Sequence, residues 1–433
     1  MSRILFLFVV VLCCSRFSHG QPVQQPVFHH CRTSEAAATF YEQHREFKSE
    51  QQAFEEFTKS FPAPASAAGV CYVIPVVFHV YGTTQGGYPV NLSIIQGALN
   101  MANDDFHGLN SDYNSVHTQF MGIRAAMPDI IFALAQIDPS GNATTGIINH
   151  PVAAGFGNGS GYDSLIQADA WDNYKYMNIY VMNDLYDDGV TNNSGIAWYP
   201  NSWMSNNNLA RIVYNGAYLG VNCNSWQPEF ASTLTHEFGH WLNLIHTFDG
   251  GCTGNNDNVS DTPPCDYFLD NYGCHPSSTA STPISCGNLV NAENYMDYSG
   301  TSGCYRMFTQ GQATRMYAAL QHPARITLWQ TSNLQATGLT NLCIGTGIAA
   351  APASQINVTV FPNPSAGQFT LHLNGSMKKL LRLEVTDMLG RRIFEKQITG
   401  EITFIDLSAQ PPGIYVLRLS GEMENRAIRL VRE

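Results

Sequence analysis

Residues 236–246 read HEFGHWLNLIH. On a helix, residues four apart share a face, so His236 and His240 can aim at one point. Glu237, next to the first of them, can reach a water held at that point without taking a ligand position. His246 cannot join from the same straight helix, because at about 100° per residue it falls roughly 120° off the face. The chain must leave the helix between His240 and His246, a break that normally takes a residue in the left-handed region. Asn243 stands where glycine would serve, and asparagine is the next-best residue at positive φ. HExxH alone is short enough to arise by chance. A third histidine at a workable spacing makes three unrelated surface histidines the weaker explanation. Three imidazoles leave a fourth tetrahedral position open, the donor set of a catalytic rather than a structural zinc. Water at that position acquires a pKa near 7, and Glu237 is placed to take its proton and pass it to a departing amine.

The surrounding chain suits an exported protein. It has 433 residues, a formal net charge of −12 and only 13% charged residues. The acidic total argues against a nucleic-acid partner, which needs a basic face. Arg3 precedes the apolar run LFLFVVVLCC (5–14), and Ser18-His19-Gly20 offers small residues before Gln21, so residues 1–20 read as a secretory signal peptide. Cys13, where a small residue is expected, argues against a lipoprotein anchored through Cys14. No later stretch reaches the roughly 18 apolar residues of a membrane span. The nine remaining cysteines belong to an oxidising compartment, and five of them (Cys252, Cys265, Cys274, Cys286 and Cys304) crowd the segment after the histidines. With no CxxC pair there, a loop-rich segment stapled by disulfides is expected rather than a cysteine metal site.

Four compositional regions follow the leader. Residues 21–68 are polar and helix-prone and end in PAPASAAG (62–69), which reads as a linker or cleavage region. Residues 69–335 hold CYVIPVVFHVYG, DIIFALAQI and MNIYVMN, three strand-like runs, with a helical pattern from Ile94 to Phe106. Strands and helices alternating ahead of the histidine helix predict an α/β layer. Residues 336–354, with GTGIAAAPAS, form a linker. From 355 to 433 the segments QFTLHL, LRLEVTD, RRIFEKQ and GIYVLRL alternate between turns and predict a small all-β sandwich. The charge changes with them: residues 377–433 carry ten Lys/Arg against eight Asp/Glu, and the preceding residues twelve against twenty-six.

HEFGHWLNLIH, followed some fifty residues on by NYMDYSG (294–300), resembles the metzincin metallopeptidases, and within them the pappalysin (ulilysin-like) family. IPVVFHV (74–80), IIFALAQIDPSGNATTGI (130–147), DAWDNYKYMNIYVMN (169–183), NDNVSDTP (256–263) and FTQGQATRM (308–316) occur in the family's order and extend the resemblance over roughly residues 69–330. It implies an α/β (α+β) metzincin-like catalytic domain, with a mixed sheet, an active-site helix and an irregular C-terminal subdomain, and a zinc endopeptidase. Met296 would be the methionine of the turn beneath the metal. Tyr298 would be the tyrosine whose hydroxyl stabilises the oxyanion. Asp257, the Val259 carbonyl and Thr262 match a calcium-binding loop, for which a plain turn is the alternative. The resemblance also implies the bridges Cys252–Cys286 and Cys274–Cys304, with Cys265 outside the pattern. Ulilysin-like enzymes favour a basic residue after the cut through an acidic group near the methionine turn. SGTSG (299–303) has no carboxylate, so that preference is not expected here.

Cys31, in HHCRTSE, resembles the family's prosegment cysteine, whose thiolate fills the open zinc position and holds the enzyme latent, which implies that residues 21–68 are a prosegment. Pairing with Cys71 is the alternative. The tail, through FPNPSAGQFTLHL, LEVTDMLGRRIFEK and IDLSAQPPGIYVLRL, resembles the C-terminal sorting domain of proteins exported by the type IX (Por) apparatus of Gram-negative bacteria. An accessory sandwich that binds carbohydrate or protein is the alternative. The expected protein is a secreted or surface-held, monomeric preproenzyme that uses Zn2+ and Ca2+ and cuts proteins or peptides. An adhesin that retains the fold, or a zinc amidohydrolase acting on small amides, are the rival functions.

Overall fold

The strand Tyr72–Tyr81 is the centre of the main sheet because it is apolar on both faces; every residue from Val73 to Tyr81 is buried. Parallel pairing inside an α/β layer requires that kind of strand. Along one edge it pairs parallel with Ile130–Leu134 through its first half and with Ile147–His150 through its second. Along the other edge it pairs parallel with Met177–Val181. Met177–Val181 continues parallel to Ile212–Tyr214, which in turn pairs antiparallel with Gly195–Ala197. The sheet is mixed, and its one reversed strand forms the outer edge.

The computed structural model describes residues 31–62, 70–159, 161–223, 228–253, 257–266, 284–298, 305–340, 342, 357–363, 365–374, 381–387, 391–398, 400, 402–420 and 425–432. The signal peptide, the linker stretch GTGIAAAPAS, Cys274, Cys304 and Cys343 lie outside them.

Two helices, α1 (Thr33–Gln43) and α2 (Lys48–Ser60), precede the sheet. The helix expected over Ile94–Phe106 is α3, Leu92–His107. Asn91 starts it by accepting from the Ile94 N–H, and Gly108, at φ +64°, ends it. Its Ile95, Leu99, Ala102 and Phe106 face inward at helical spacing. The short helices α4 (Asp163–Asp169) and α5 (Ser202–Asn206) follow, then α6 (Thr233–Trp241), which carries the first two histidines. α7 (Gln310–Ala319) starts from a capping box between Thr309 and Gln312, and α8 (Thr331–Thr337) ends at Gly338, φ +80°. One core joins the sheet to α3, α6 and the segment below α6, through Phe78, Phe106, Phe132, Phe238, Trp241 and Met296. The histidine helix is therefore fixed by packing on two sides.

The tail forms the expected sandwich. Asn357–Phe361, Gln368–Asn374 and Ile402–Asp406 make one antiparallel sheet. Arg392–Ile398, Leu381–Asp387, Gly413–Ser420 and Asn425–Arg432 make the other. Alternate side chains from both, among them Phe369, Leu371, Leu383, Val385, Ile405, Leu417 and Leu430, share one core. Among the described residues no helix is long and apolar enough to cross a membrane.

Candidate metal centre

α6 ends at Trp241, and two residues later Asn243 adopts φ +70°, the left-handed break that the sequence demands. The break turns His246 back beneath the helix. His240 Nε2 then lies 3.0 Å from His236 Nε2 and 3.0 Å from His246 Nε2. The opposite ring atoms are held from outside. His236 Nδ1 donates to the Tyr295 carbonyl at 2.6 Å, and His240 Nδ1 donates to the Leu244 carbonyl at 2.7 Å. His246 Nδ1 faces the Asp249 carboxylate at 3.4 Å and the Ser34 hydroxyl at 3.2 Å.

That outer shell decides the chemistry. With the Nδ1 protons of His236 and His240 committed to carbonyls, their Nε2 lone pairs face inward, toward the third ring. Burial and the two neighbouring rings push the His240 pKa well below its ordinary value, so protonation does not relieve the repulsion. A cation at the centre would. The three rings and Cys31 Sγ form a group whose ligand atoms all lie within 4.8 Å of one another, and all four residues are buried. Three nitrogens and a sulfur are borderline-soft donors that fit zinc.

Glu237 is fully buried beside the cage, and its Oε1 has no hydrogen-bond partner among the described residues. Burial pushes its pKa well above the ordinary carboxylate range. A buried carboxyl kept basic, with an oxygen free, suits proton transfer to and from a reacting group. Close packing aims it: a Cβ on Gly195 would come within 2.7 Å of Glu237 Cγ. Met296 is fully buried below, where a Cβ on Gly239 would meet its Sδ at 2.5 Å. The glycine inside HEFGH thus makes room for the apolar floor.

The N-terminal segment occupies the cleft. Cys31 Sγ lies 3.6 Å from Glu237 Oε2, and the Cys31 carbonyl accepts from the Tyr298 hydroxyl at 2.5 Å. Cys31 is therefore not paired with Cys71. Burial, then the Glu237 charge, pushes its thiol well above the ordinary value; a cation in the cage would invert that balance. Thr33 Oγ1 accepts from the Ala197 N–H of the edge strand at 3.0 Å, and the Ser34 hydroxyl donates to Asp249 at 2.5 Å. The Arg32 guanidinium stacks 4.4 Å over the Tyr186 ring. Thr33, Ser34, Ala197, Gly195 and Asp249 were not singled out from the sequence. Thr33 and Ser34 follow Cys31 directly, and Asp249 is three residues past the third histidine, which was the available signal.

Asp257, Val259 and Thr262 also converge. Thr262 Oγ1 lies 2.6 Å from Asp257 Oδ2 and 2.9 Å from the Val259 carbonyl oxygen. All three residues are buried, and Asn258 between them has φ +58°. Cys252 and Cys286 are bonded. Cys265 is buried, with Sγ 3.7 Å from Asp297 Oδ2.

The chain matches the pregnancy-associated plasma protein-A peptidase family over residues 160–321 and the secretion-system C-terminal sorting domain over 359–433. An extracellular metalloprotease of Verticillium alfalfae is 32% identical over 257 residues, 57% of this chain and 74% of the relative. One from Sordaria macrospora is 41% identical over 148 residues; that match spans 33% of this chain and about half, 47%, of the relative. Among solved structures, a Tannerella forsythia promirolysin mutant is similar with a TM-score of 0.54 and 26% identity, covering 72% of this chain and 98% of that one. Mirolysin in complex with a small compound gives 0.50 and 28%, covering 63% and 99%. The fold, the histidine cage and these relatives agree, and the chain belongs to the pregnancy-associated plasma protein-A family of metallopeptidases, as a metalloendopeptidase that carries a C-terminal secretion sorting domain.

Proposed function

We propose that the protein is a latent, monomeric zinc endopeptidase, with His236, His240 and His246 as metal ligands, Glu237 as general base and acid, and Tyr298 as the oxyanion donor. One observation carries the metal assignment: His240 Nε2 lies 3.0 Å from the Nε2 atoms of both His236 and His246, while Nδ1 of His236 and of His240 is held by a backbone carbonyl. Zinc in that cage would bring the pKa of a held water down toward 7. Glu237, dry and basic, would take the proton of the attacking water and return it to the leaving amine. The Tyr298 hydroxyl, once it no longer donates to Cys31, would donate to the oxygen of the scissile carbonyl. Ala197, on the edge strand, would present its N–H to an extended substrate, as it does to Thr33 here.

The same contacts support latency. Cys31, Thr33 and Ser34 engage the metal cage, Tyr298, Ala197 and Asp249, which a bound substrate would need. The promirolysin match covers 72% of this chain and the mirolysin match 63%, a difference in line with removal of an N-terminal segment during maturation. Asp257, the Val259 carbonyl and Thr262 offer oxygens to a calcium ion, and Met296 serves as the floor. For the route, we infer a signal peptide to the periplasm of a Gram-negative bacterium and a type IX tail that carries the chain across the outer membrane. Digesting a protein library with the processed enzyme and reading the cut sites by mass spectrometry tests the function. A zinc chelator should stop cleavage and added zinc restore it, and Glu237→Ala should be inert with its metal retained. Cleavage that survives either treatment would end the assignment.

A further inference from the structure

α2 meets the body of the enzyme through a second set of contacts, away from the metal. Phe47, Glu50, Gln51, Phe54, Glu55 and Thr58 line its less exposed face, at i, i+3, i+4, i+7, i+8 and i+11. Phe54 is buried within the main catalytic core, with its ring edge-on to His322 at 4.4 Å. On one side of it, Glu50 accepts from the Ser202 N–H at the start of α5 at 2.9 Å, and the Asn201 amide approaches at 3.5 Å. On the other side, Glu55 takes both terminal nitrogens of Arg315, on α7, at 2.8 Å each. The Asn243 and Asn258 side-chain amides reach the same carboxylate at 3.4 and 3.3 Å.

This is a built carboxylate receptor. Arg315 is only 3% exposed, and its remaining Nε–H is committed to the Asn243 carbonyl at 3.0 Å. Four N–H groups converge on one oxygen pair from α7, the metal loop and the Asp257 loop, none of them part of the prosegment. Bidentate guanidinium–carboxylate pairing is among the stronger polar contacts, and removing one partner leaves a buried charge uncompensated. Taking α2 away would strip that partner from Arg315 and bare the Phe54 pocket at once.

We propose that the catalytic unit keeps an exosite of its own for the α2 segment: a groove that reads glutamate, then phenylalanine-glutamate four and five residues on, and holds the excised segment after the chain is cut. The proposal rests on the reading that residues 21–68 are a removable prosegment. Latency then has two separable anchors, the Cys31–Ser34 stretch at the histidine cage and the Glu55 carboxylate at Arg315. Activation would end with release of the segment from the groove, not with the cut.

The test uses the full chain carrying Glu237→Ala, so that no self-digestion occurs, with a site for an added protease placed in residues 62–69. Cys31→Ser removes the metal-directed thiol. After the cut, the N-terminal segment of this chain should still co-elute with the catalytic unit on gel filtration. Adding Glu55→Gln should weaken its affinity about ten- to hundredfold, as loss of a charged hydrogen-bonded pair does. Phe54→Ala, which leaves every charge in place, should weaken the same complex. If Cys31→Ser alone frees the segment, or if Glu55→Gln leaves its affinity unchanged, the exosite is refuted. Because the assay needs no catalysis, that result would leave the peptidase assignment standing.

Discussion

Gly195 and Glu237 touch where the edge strand crosses the histidine helix, and nothing larger than a hydrogen fits between them. Gly195→Ala would place a methyl within 2.7 Å of Glu237 Cγ and Oε1. The histidine cage would keep its geometry while the base moved. We expect kcat to fall at least about tenfold with metal content unchanged, because a general base contributes about 10²–10⁴ and depends on its placement. Metal analysis beside steady-state kinetics checks this; a variant that loses metal and activity together would mean that the cage was displaced instead. Asp257 gives a pH signature of its own. Burial raises its pKa from 3.8 to about 6, against the opposing hydrogen bonds from Thr262 and Val259. The raised folded value means that this group favours folding below the unfolded pKa and that the contribution is lost as pH rises through about 6. At pH 7 the charged form costs about 3 kcal/mol. A calcium ion would offset that cost only where the carboxylate is ionised. Added calcium should raise Tm at pH 7.5 and do little at pH 4.5; an equal rise at both would remove Asp257 from the ligand set.

At the scale of elements, the parts legible in the sequence were those whose pattern is local. The apolar run of Tyr72–Tyr81, the helical spacing of α3 and the alternating strands of the tail carry their own periodicity. The hinge at Asn243 was legible because bringing His246 to the face shared by His236 and His240 leaves the chain no other path. Gly195–Ala197 was not, because a three-residue edge strand has no period to read. The docking of α2 was equally hidden: Glu55 finds Arg315 260 residues away, and nothing in either neighbourhood announces the pair. The loop after His246 shows the same division. Cys252–Cys286 followed from family resemblance, whereas the burial of Cys265 against Asp297 follows only from the fold. That bridge ties the end of the metal loop to the Ile284–Leu289 hairpin across 34 residues. Closing a loop of that length is worth up to about 4 kcal/mol through the entropy of the unfolded chain. Cys252→Ser should lower Tm by several degrees in a scanning calorimetry trace, and reductant should lower the wild type to match. If reductant lowers the variant further, a second bridge shares the load.

Across the whole molecule, the two ends act on the catalytic unit in different currencies. The N-terminal segment competes for groups that catalysis would use, the cage, Tyr298 and the Ala197 N–H, and takes Arg315 besides. The sandwich at the other end has its own core of Phe369, Leu371, Val385 and Leu417, and none of the proposed catalytic groups comes from it. The adhesin and accessory-module readings lose their ground here, since the chain belongs to a metalloendopeptidase family and the tail matches a sorting domain. A tail that only addresses the protein should be dispensable for chemistry and indispensable for export. Truncation after residue 350 should leave kcat/KM of the purified, processed enzyme within about twofold, since a separate core that supplies no catalytic group adds nothing to transition-state binding. The same truncation in cells should hold the protein in the periplasm, with cleavage activity absent from the medium and recovered on osmotic release. Normal export of the truncated chain would refute the address function, whereas lost activity in the purified form would show that the sandwich supports the catalytic unit after all.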